Sequence, residues 1–282
     1  MIKAYQTAGD FLAIAQNCLQ EKEAENNLML GLAYTLNRDI HYFGNTQPLF
    51  ITVHADAKCV GACLQTPPYN LILYATETHL EKAVQELCAY LLKHGYQVPG
   101  IIGPKDTADK FNKIWLSPKK VSLGGKMSQM VYKIEKVNKI PMAEGKLRQA
   151  LKTDHTLLTD WLGKFHKEAL RPISIDKASE MAAKKIKEEA FYIWETDRPV
   201  SMAGWTRPTS NGVTIASVYT PEKFRHNGYA SSCVARLTEK MLRDYSFCSL
   251  FTDQGNPTSN SIYQKIGYEV VDYVLQCEYQ YH

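Results

Sequence analysis

The sequence has no long apolar run. None of its 282 residues belongs to a stretch approaching the ~18 consecutive apolar residues of a membrane span, and Leu71–Ala75 is short and flanked by polar residues. Glycine and proline are sparse, at 16 and 12, too few for a collagenous or low-complexity chain. Charge of one sign is not in excess. Fifteen basic residues face twelve acidic ones over residues 1–140, and eighteen face seventeen beyond, for a net +4. That balance supplies no basic arm or charged tail, so no nucleic-acid partner is expected. The opening MIKAYQTAGDFLAIAQN lacks a basic start followed by an apolar block. No secretory signal is read, and a cytoplasmic location with no membrane partner is expected. The seven cysteines are odd in number and scattered. Cys59 and Cys63 lie four apart, but no second Cys or His pair has zinc-site spacing, so reduced thiols and no metal are expected.

What is present is an ordinary globular composition, 45% hydrophobic, 22% charged and 11% aromatic. The length is near twice the ~150 residues of a single domain. A break falls at residues 136–147, KVNKIPMAEGKL, where turn-forming and charged residues interrupt the apolar pattern. It predicts domains at 1–138 and 146–282. The second half reads as a short strand at Lys146–Ala150, then a helix capped by Thr153 or Asp154 and running through Leu170. A second helix follows over Asp176–Glu189. Strands are predicted at Phe191–Trp194, Val200–Trp205 and Val213–Tyr219, with turns at Asp197-Arg-Pro199 and Asn211-Gly212. A helix from Ala230, a strand at Ser249–Thr252, a short helix at Ser259–Ile266 and strands at Glu269–Tyr273 and Leu275–Tyr281 complete it.

The first half repeats this rhythm. Strand-like Pro48–Val53, a turn at Asp56-Ala-Lys58, then Val60–Leu64 and Leu71–Tyr74 echo the three strands ending at Tyr219. The helix His79–Lys93 carries Leu80, Val84, Leu87, Cys88 and Leu91 on one face. Gly103–Trp115 then parallels Gly255–Gly267. The shared order of elements points to an ancient duplication.

The stretch that carries chemistry is Val218-Tyr-Thr-Pro-Glu-Lys-Phe-Arg-His-Asn-Gly-Tyr-Ala-Ser231. A β-branched strand ends, a loop supplies Arg225 and Gly228, and an apolar-periodic helix starts. Such a turn aims free backbone N–H groups at one spot, at the positive end of the helix dipole, where phosphate or pyrophosphate is the natural occupant. About twenty residues later comes Asn256-Pro-Thr-Ser-Asn-Ser-Ile-Tyr-Gln-Lys-Ile-Gly-Tyr268, which reads as a short helix ending at a glycine.

Together, Arg-x-x-Gly-x-Ala followed by Asn-x-x-Ser-x-x-x-Tyr-x-x-x-Gly-Tyr resembles the GCN5-related N-acetyltransferase (GNAT) superfamily. The resemblance covers residues 146–281 and is strongest over Val218–Tyr268. The layout with a weaker first copy is similar to tandem-GNAT members, among them the glycine N-acyltransferase-like or FR47-like group. The fold it implies is α/β, with two GNAT-like domains, each a mixed, mostly antiparallel twisted sheet flanked by helices. The resemblance implies acetyl-CoA as acyl donor. Arg225, His226, Asn227, Gly228, Tyr229 and Ala230, with Ser231 beside them, match the loop whose amides hold the coenzyme pyrophosphate. Val218, Tyr219 and Thr220 would offer main-chain groups along the pantetheine arm, a Tyr219 amide serving the oxyanion. Asn256 and Asn260 match positions touching the arm from its other side. Tyr263 matches a tyrosine placed to protonate the departing thiolate, and is the one catalytic residue expected.

The implied reaction is direct transfer of acetyl to a primary amine of a small molecule or amino acid, which requires deprotonating an ammonium and stabilising an oxyanion. The strand Val213–Tyr219 holds no acid to act as base, and Glu195, Glu222 and Asp253 stay open as candidates. Cys233 reads as helix packing. The alternative function is a non-catalytic acyl-CoA-binding sensor or scaffold. Thr76-Glu-Thr-His-Leu80 has neither Arg nor Gly, so no coenzyme site is expected in the first copy; completing an acceptor cleft, forming a homodimer and stabilising the chain are the roles open to it. No Gly-x-Ser-x-Gly, Gly-x-Gly-x-x-Gly or His-Glu-x-x-His occurs, and Leu123-Gly-Gly-Lys-Met-Ser128 reads as a turn.

Overall fold

The computed structural model describes residues 1–117 and 121–282. Its first elements are β1 (Ile2–Tyr5), α1 (Ala8–Gln20), α2 (Asn27–Arg38), β2 (Leu49–Ala55), β3 (Lys58–Gln65), β4 (Leu71–Ala75), α3 (Leu80–Lys93), β5 (Gly100–Pro104), α4 (Lys105–Trp115) and β6 (Val121–Ile134). Then come β7 (Lys146–Gln149), α5 (His155–Ala169), α6 (Ile175–Lys187), β8 (Phe191–Glu195), β9 (Pro199–Thr206), β10 (Gly212–Tyr219), α7 (Tyr229–Met241), β11 (Phe247–Asp253), α8 (Pro257–Ile266) and β12 (Glu269–Tyr281). They form two compact units. One is Met1–Tyr132 with Phe251–Asn256 and Val270–His282; the other is Lys133–Leu250 with Pro257–Glu269.

In the first unit the strands follow the order β1-β2-β3-β4-β5-β12-β6. β2 and β3 form an antiparallel hairpin, closed by Asp56 and Ala57 with φ of +47° and +65°. Two successive left-handed residues give the turn whose twist suits a hairpin. β3 and β4 are antiparallel, whereas β4 and β5 are parallel, as the crossover through α3 demands. Apart from a bulge at residues 59–61 of β3, the strand residues alternate between two cores. Phe50, Leu64, Ile72 and Tyr74 pack with α1 and α2, while Ile51, Cys63, Leu71 and Leu73 pack with α3 and α4. Both faces are covered, so these strands read as continuous apolar runs rather than as alternation.

The second unit has the order β11-β10-β9-β8-β7, antiparallel except for the parallel pair β10–β11. α5 and α6 bury Leu158, Leu162 and Ala182 with Ile193 and Met202. Cys233, Val234, Leu237 and Met241 form the buried stripe of α7, which packs on β8, β9 and β10. The succession β8-β9-β10-α7-β11-α8 repeats β2-β3-β4-α3-β5-α4, with the parallel pair at the same step in both. The mixed, mostly antiparallel sheet expected of each half is present.

Three local expectations change. Asp154 does not cap α5 with its side chain; its carboxylate accepts from Arg148 Nη1 and Nη2 at 2.7 and 2.9 Å and from the Leu151 amide at 2.8 Å. An unmatched guanidinium nearby outcompetes neutral helix amides. Leu123–Ser128 lies inside β6 instead of a turn, and a side chain on Gly124 would crowd Gln280 of β12 at 3.0 Å. The two terminal strands are one, Glu269–Tyr281. Residues 274–278 of that strand pair antiparallel with 100–104 of β5.

Candidate functional site

β10 and β11 run side by side only briefly. Their parallel register covers Gly212–Thr214 against Phe247–Ser249. At the start, the Phe247 ring lies 2.2 Å from where a Cβ on Gly212 would stand, so no larger residue fits. Farther on, the pairing of β10 with β9 slips between Ala216 and Tyr219, with Ser217 at φ +53°. A bulge at this point bends the strand and leaves main-chain groups unladdered. Val218 and Tyr219 end the strand, and Thr220 follows it.

The loop after β10 is pinned at both ends. Ser201 Oγ donates to the Tyr219 carbonyl at 3.2 Å and sits 2.8 Å from Thr220 Oγ1. A single helical turn at Glu222–Phe224 leads to Arg225. The Asn227 amide donates to the carbonyls of Phe224 and Arg225, at 3.2 and 2.9 Å. His226 and Gly228 both have left-handed backbone, at φ +66° and +76°. Gly228 is the N-cap of α7 and offers no side chain to it. The N–H groups of Tyr229, Ala230 and Ser231 in the first turn therefore have no helical acceptor and no capping side chain. Within the chain, a Cβ on Gly228 would meet only the Ala143 methyl, at 3.7 Å. The chain itself thus fixes glycine by conformation rather than by space.

Arg225 is occupied. Its Nε donates to the Thr220 carbonyl at 3.0 Å, and Nη2 donates to Glu168 Oε2 at 2.5 Å. Tyr219 Oη donates to the other oxygen of Glu168 at 3.4 Å. The Glu168 bond keeps the guanidinium firmly charged, and burial, then the Glu168 charge, raises the Tyr219 phenol above its ordinary range. Glu168 is the acid that the sequence reading missed. It lies in the last turn of α5, outside every motif, and reaches the loop only through the packing of α5 on β10. Of the three acids proposed from sequence, Glu195 accepts from Arg148 at 2.8 Å, and Asp253 accepts from the Gly255 amide at 2.8 Å. Glu222 is exposed in the loop.

α8 carries Asn260 and Tyr263, both buried, and packs on α7. Tyr263 meets Tyr268 edge-on with ring centres 6.1 Å apart. The Tyr268 hydroxyl lies 2.8 Å from Thr238 Oγ1 of α7, which ties the end of α8 to that helix. The structure thus gathers Val218 through Ser231 around the start of α7 and sets Asn260 and Tyr263 on the neighbouring helix. Asn256 groups with the first unit. Cys233 is fully buried and its thiol is pushed up to about 12 by burial, so it packs and does not ionise. In the first unit, β4 passes through a turn at Glu77–His79 directly into α3, and Glu77 pairs with Lys22 at 2.6 Å. No group of three or more candidate metal ligands occurs among the described residues. No helix among them is long and apolar enough to cross a membrane.

The FR47-like protein family matches residues 193–278, from β8 into β12. No curated protein matches the chain significantly. Solved structures align over nearly its whole length. A GCN5-related N-acetyltransferase from Sphaerobacter thermophilus has a TM-score of 0.63 at 15% identity, over 99% of this chain and 95% of that one. A GNAT-family acetyltransferase from Colwellia psychrerythraea reaches 0.58 at 13%, over 99% and 100%. A tandem GNAT protein from the clavulanic acid biosynthesis pathway reaches 0.55 at 10%, over 99% and 98%. The chain therefore has the GNAT fold in tandem, and its second copy carries the FR47-like match.

Proposed function

We propose that the second unit binds acetyl-CoA and transfers its acetyl group to a primary amine of a small molecule or amino acid. The observation that carries this reading is the parting of β10 from β11 ahead of a loop that ends at a glycine-started helix. A strand with unladdered main-chain groups leads, through the loop 220–228, to the uncapped amides of Tyr229, Ala230 and Ser231. An extended thioester arm suits the first feature and a pyrophosphate the second. The acetyltransferase neighbours support acyl transfer as the class of reaction.

In this reading the amine nitrogen, freed of its ammonium proton, attacks the thioester carbon. The N–C bond forms, the C–S bond breaks, the nitrogen sheds its extra proton to solvent, and the thiolate takes the phenolic proton of Tyr263, which solvent then replaces. The developing oxyanion is met by main-chain N–H at the β10 bulge, near Val218 and Tyr219. Glu168, half exposed beside Tyr219, gives the incoming ammonium a counter-charge and could accept its proton.

The test is thiol release from acetyl-CoA across a panel of primary amines, with coenzyme binding followed by calorimetry. Amine-dependent release supports the enzyme. Binding with no release from any amine supports the non-catalytic acyl-CoA module instead. Absence of binding removes both.

A further inference from the structure

A cleft of about 420 Å³ opens in the second unit along the outer face of α7. Arg236, Lys240 and Arg243 line it at i, i+4 and i+7, and Lys146 at the start of β7 joins them. At 3.6 residues per turn Arg236 and Lys240 point roughly 160° around α7 from Thr238, the residue that meets Tyr268, and Arg243 follows in the turn after the helix. Arg236 stands about 12 Å along the axis from Gly228. The cationic stripe therefore points away from the coenzyme loop, which the cleft meets only at its rim, where the Ala143 methyl stands beside Gly228. Its rim is held in place, because the Ala143 amide donates to the buried Ser232 Oγ at 2.8 Å.

The charge in this cleft is not balanced. Arg236 pairs with Glu239 at 2.7 Å. Lys240 has only the face of Tyr192, 5.9 Å away. Among the described residues, Lys146, Lys240 and Arg243 belong to no ion pair. Four cations against one carboxylate leave a concentrated positive field in a concave space. The guanidinium of Arg243 offers a fork for a planar or tetrahedral oxyanion, and the two lysines add movable point charges. The volume lies within the range of small-molecule sites and exceeds what one phosphate fills. A nucleic acid would need a longer basic track than this cleft supplies.

We propose that this cleft binds a small, multiply charged anion bearing phosphate or carboxylate groups, independently of the coenzyme loop. Such a ligand converts the mutual repulsion of the three unpaired cations into attraction. Because the cations are exposed, binding weakens as salt rises.

The experiment is calorimetric titration of the full chain with inorganic pyrophosphate and with citrate, in saturating coenzyme A, at low and at physiological salt. Binding of at least one anion is expected. It should weaken by at least about tenfold in the double variant Lys240→Glu, Arg243→Glu, and by less in Lys146→Gln, which lies on another element. Lys240 and Arg243 both face solvent, and circular dichroism checks that the variants stay folded. Three results would overturn the proposal: no heat with either anion, an unchanged titration in both cleft variants, or loss of binding in coenzyme A but not in dephospho-coenzyme A. The last would make the cleft a seat for the 3′-phosphate of the coenzyme itself.

Discussion

Arg225 and Glu168 stand 57 residues apart in the chain and are joined by an ion pair of 2.5 Å. The arginine that would face a pyrophosphate is held by a carboxylate from another helix. In the proposed reading, coenzyme phosphate and Glu168 compete for one guanidinium. With both partners part-exposed, the pair contributes about 0.2–1 kcal/mol, which limits the effect to roughly fivefold. Glu168→Gln is expected to tighten coenzyme A binding by that margin at low salt, and Arg225→Ala to weaken it. If Glu168 also draws the ammonium, Glu168→Gln raises the KM for the amine. Calorimetry and steady-state kinetics on the same variant read the two effects separately.

Gly228 separates conformation from proximity. Its φ of +76° costs a side-chain-bearing residue about 1–2 kcal/mol, with Asn among the least affected. Gly228→Val is expected to lose both thermal stability and coenzyme affinity. Gly228→Asn should keep its melting temperature but still lose affinity, since its Cβ projects where the pyrophosphate approaches the amides. An Asn variant that binds like the parent would mean the amides do not face the coenzyme.

Tyr263→Phe addresses the leaving group. If the phenol protonates the thiolate, the maximal rate drops by about 10²–10⁴-fold while coenzyme affinity stays near the parent value. The ring remains packed against Tyr268 in the variant, so stability should hold. Full turnover at saturating acetyl-CoA and amine would leave Tyr263 as a packing residue.

Arg148 bridges Asp154 and Glu195, at 2.7 and 2.8 Å. Its guanidinium, the largest influence, holds the Asp154 carboxyl below its ordinary 3.8. A folded-state value below the unfolded one gives stability that is present above pH 3.8 and lost as pH falls through the folded value. Asp154→Asn is expected to cost about 1–3 kcal/mol near neutrality. Urea melts at neutral pH and near pH 3 should show the gap between parent and variant closing in acid.

The second unit was the more legible half in sequence because its signals are local. Asn211-Gly212, Gly228 and Gly267 mark turns and helix ends, and the two motifs sit on consecutive elements. The first 40 residues gave no element, although α1 is capped by Thr7 with its Oγ accepting from the Asp10 amide at 3.1 Å. Thr7-Ala-Gly-Asp10 ahead of Phe11 and Leu12 has the spacing of a helix start, so this element was legible in the sequence. β6 was hidden because Gly124 and Gly125 imitate a turn; what Gly124 accommodates is Gln280 of β12, more than 150 residues away in the chain. Glu168 was invisible for the same reason: its meaning lies in a tertiary contact that no spacing encodes.

The last strand has a consequence for how the molecule is made. β12 stands between β5 and β6 of the first unit, yet it emerges from synthesis only after the whole of the second. The earlier-made unit must wait with a seam in its sheet, exposing the edges of β5 and β6 to any other strand that comes by. Order of synthesis and order of completion are thus reversed, and a chain cut at the midpoint would leave the first half without its closing piece.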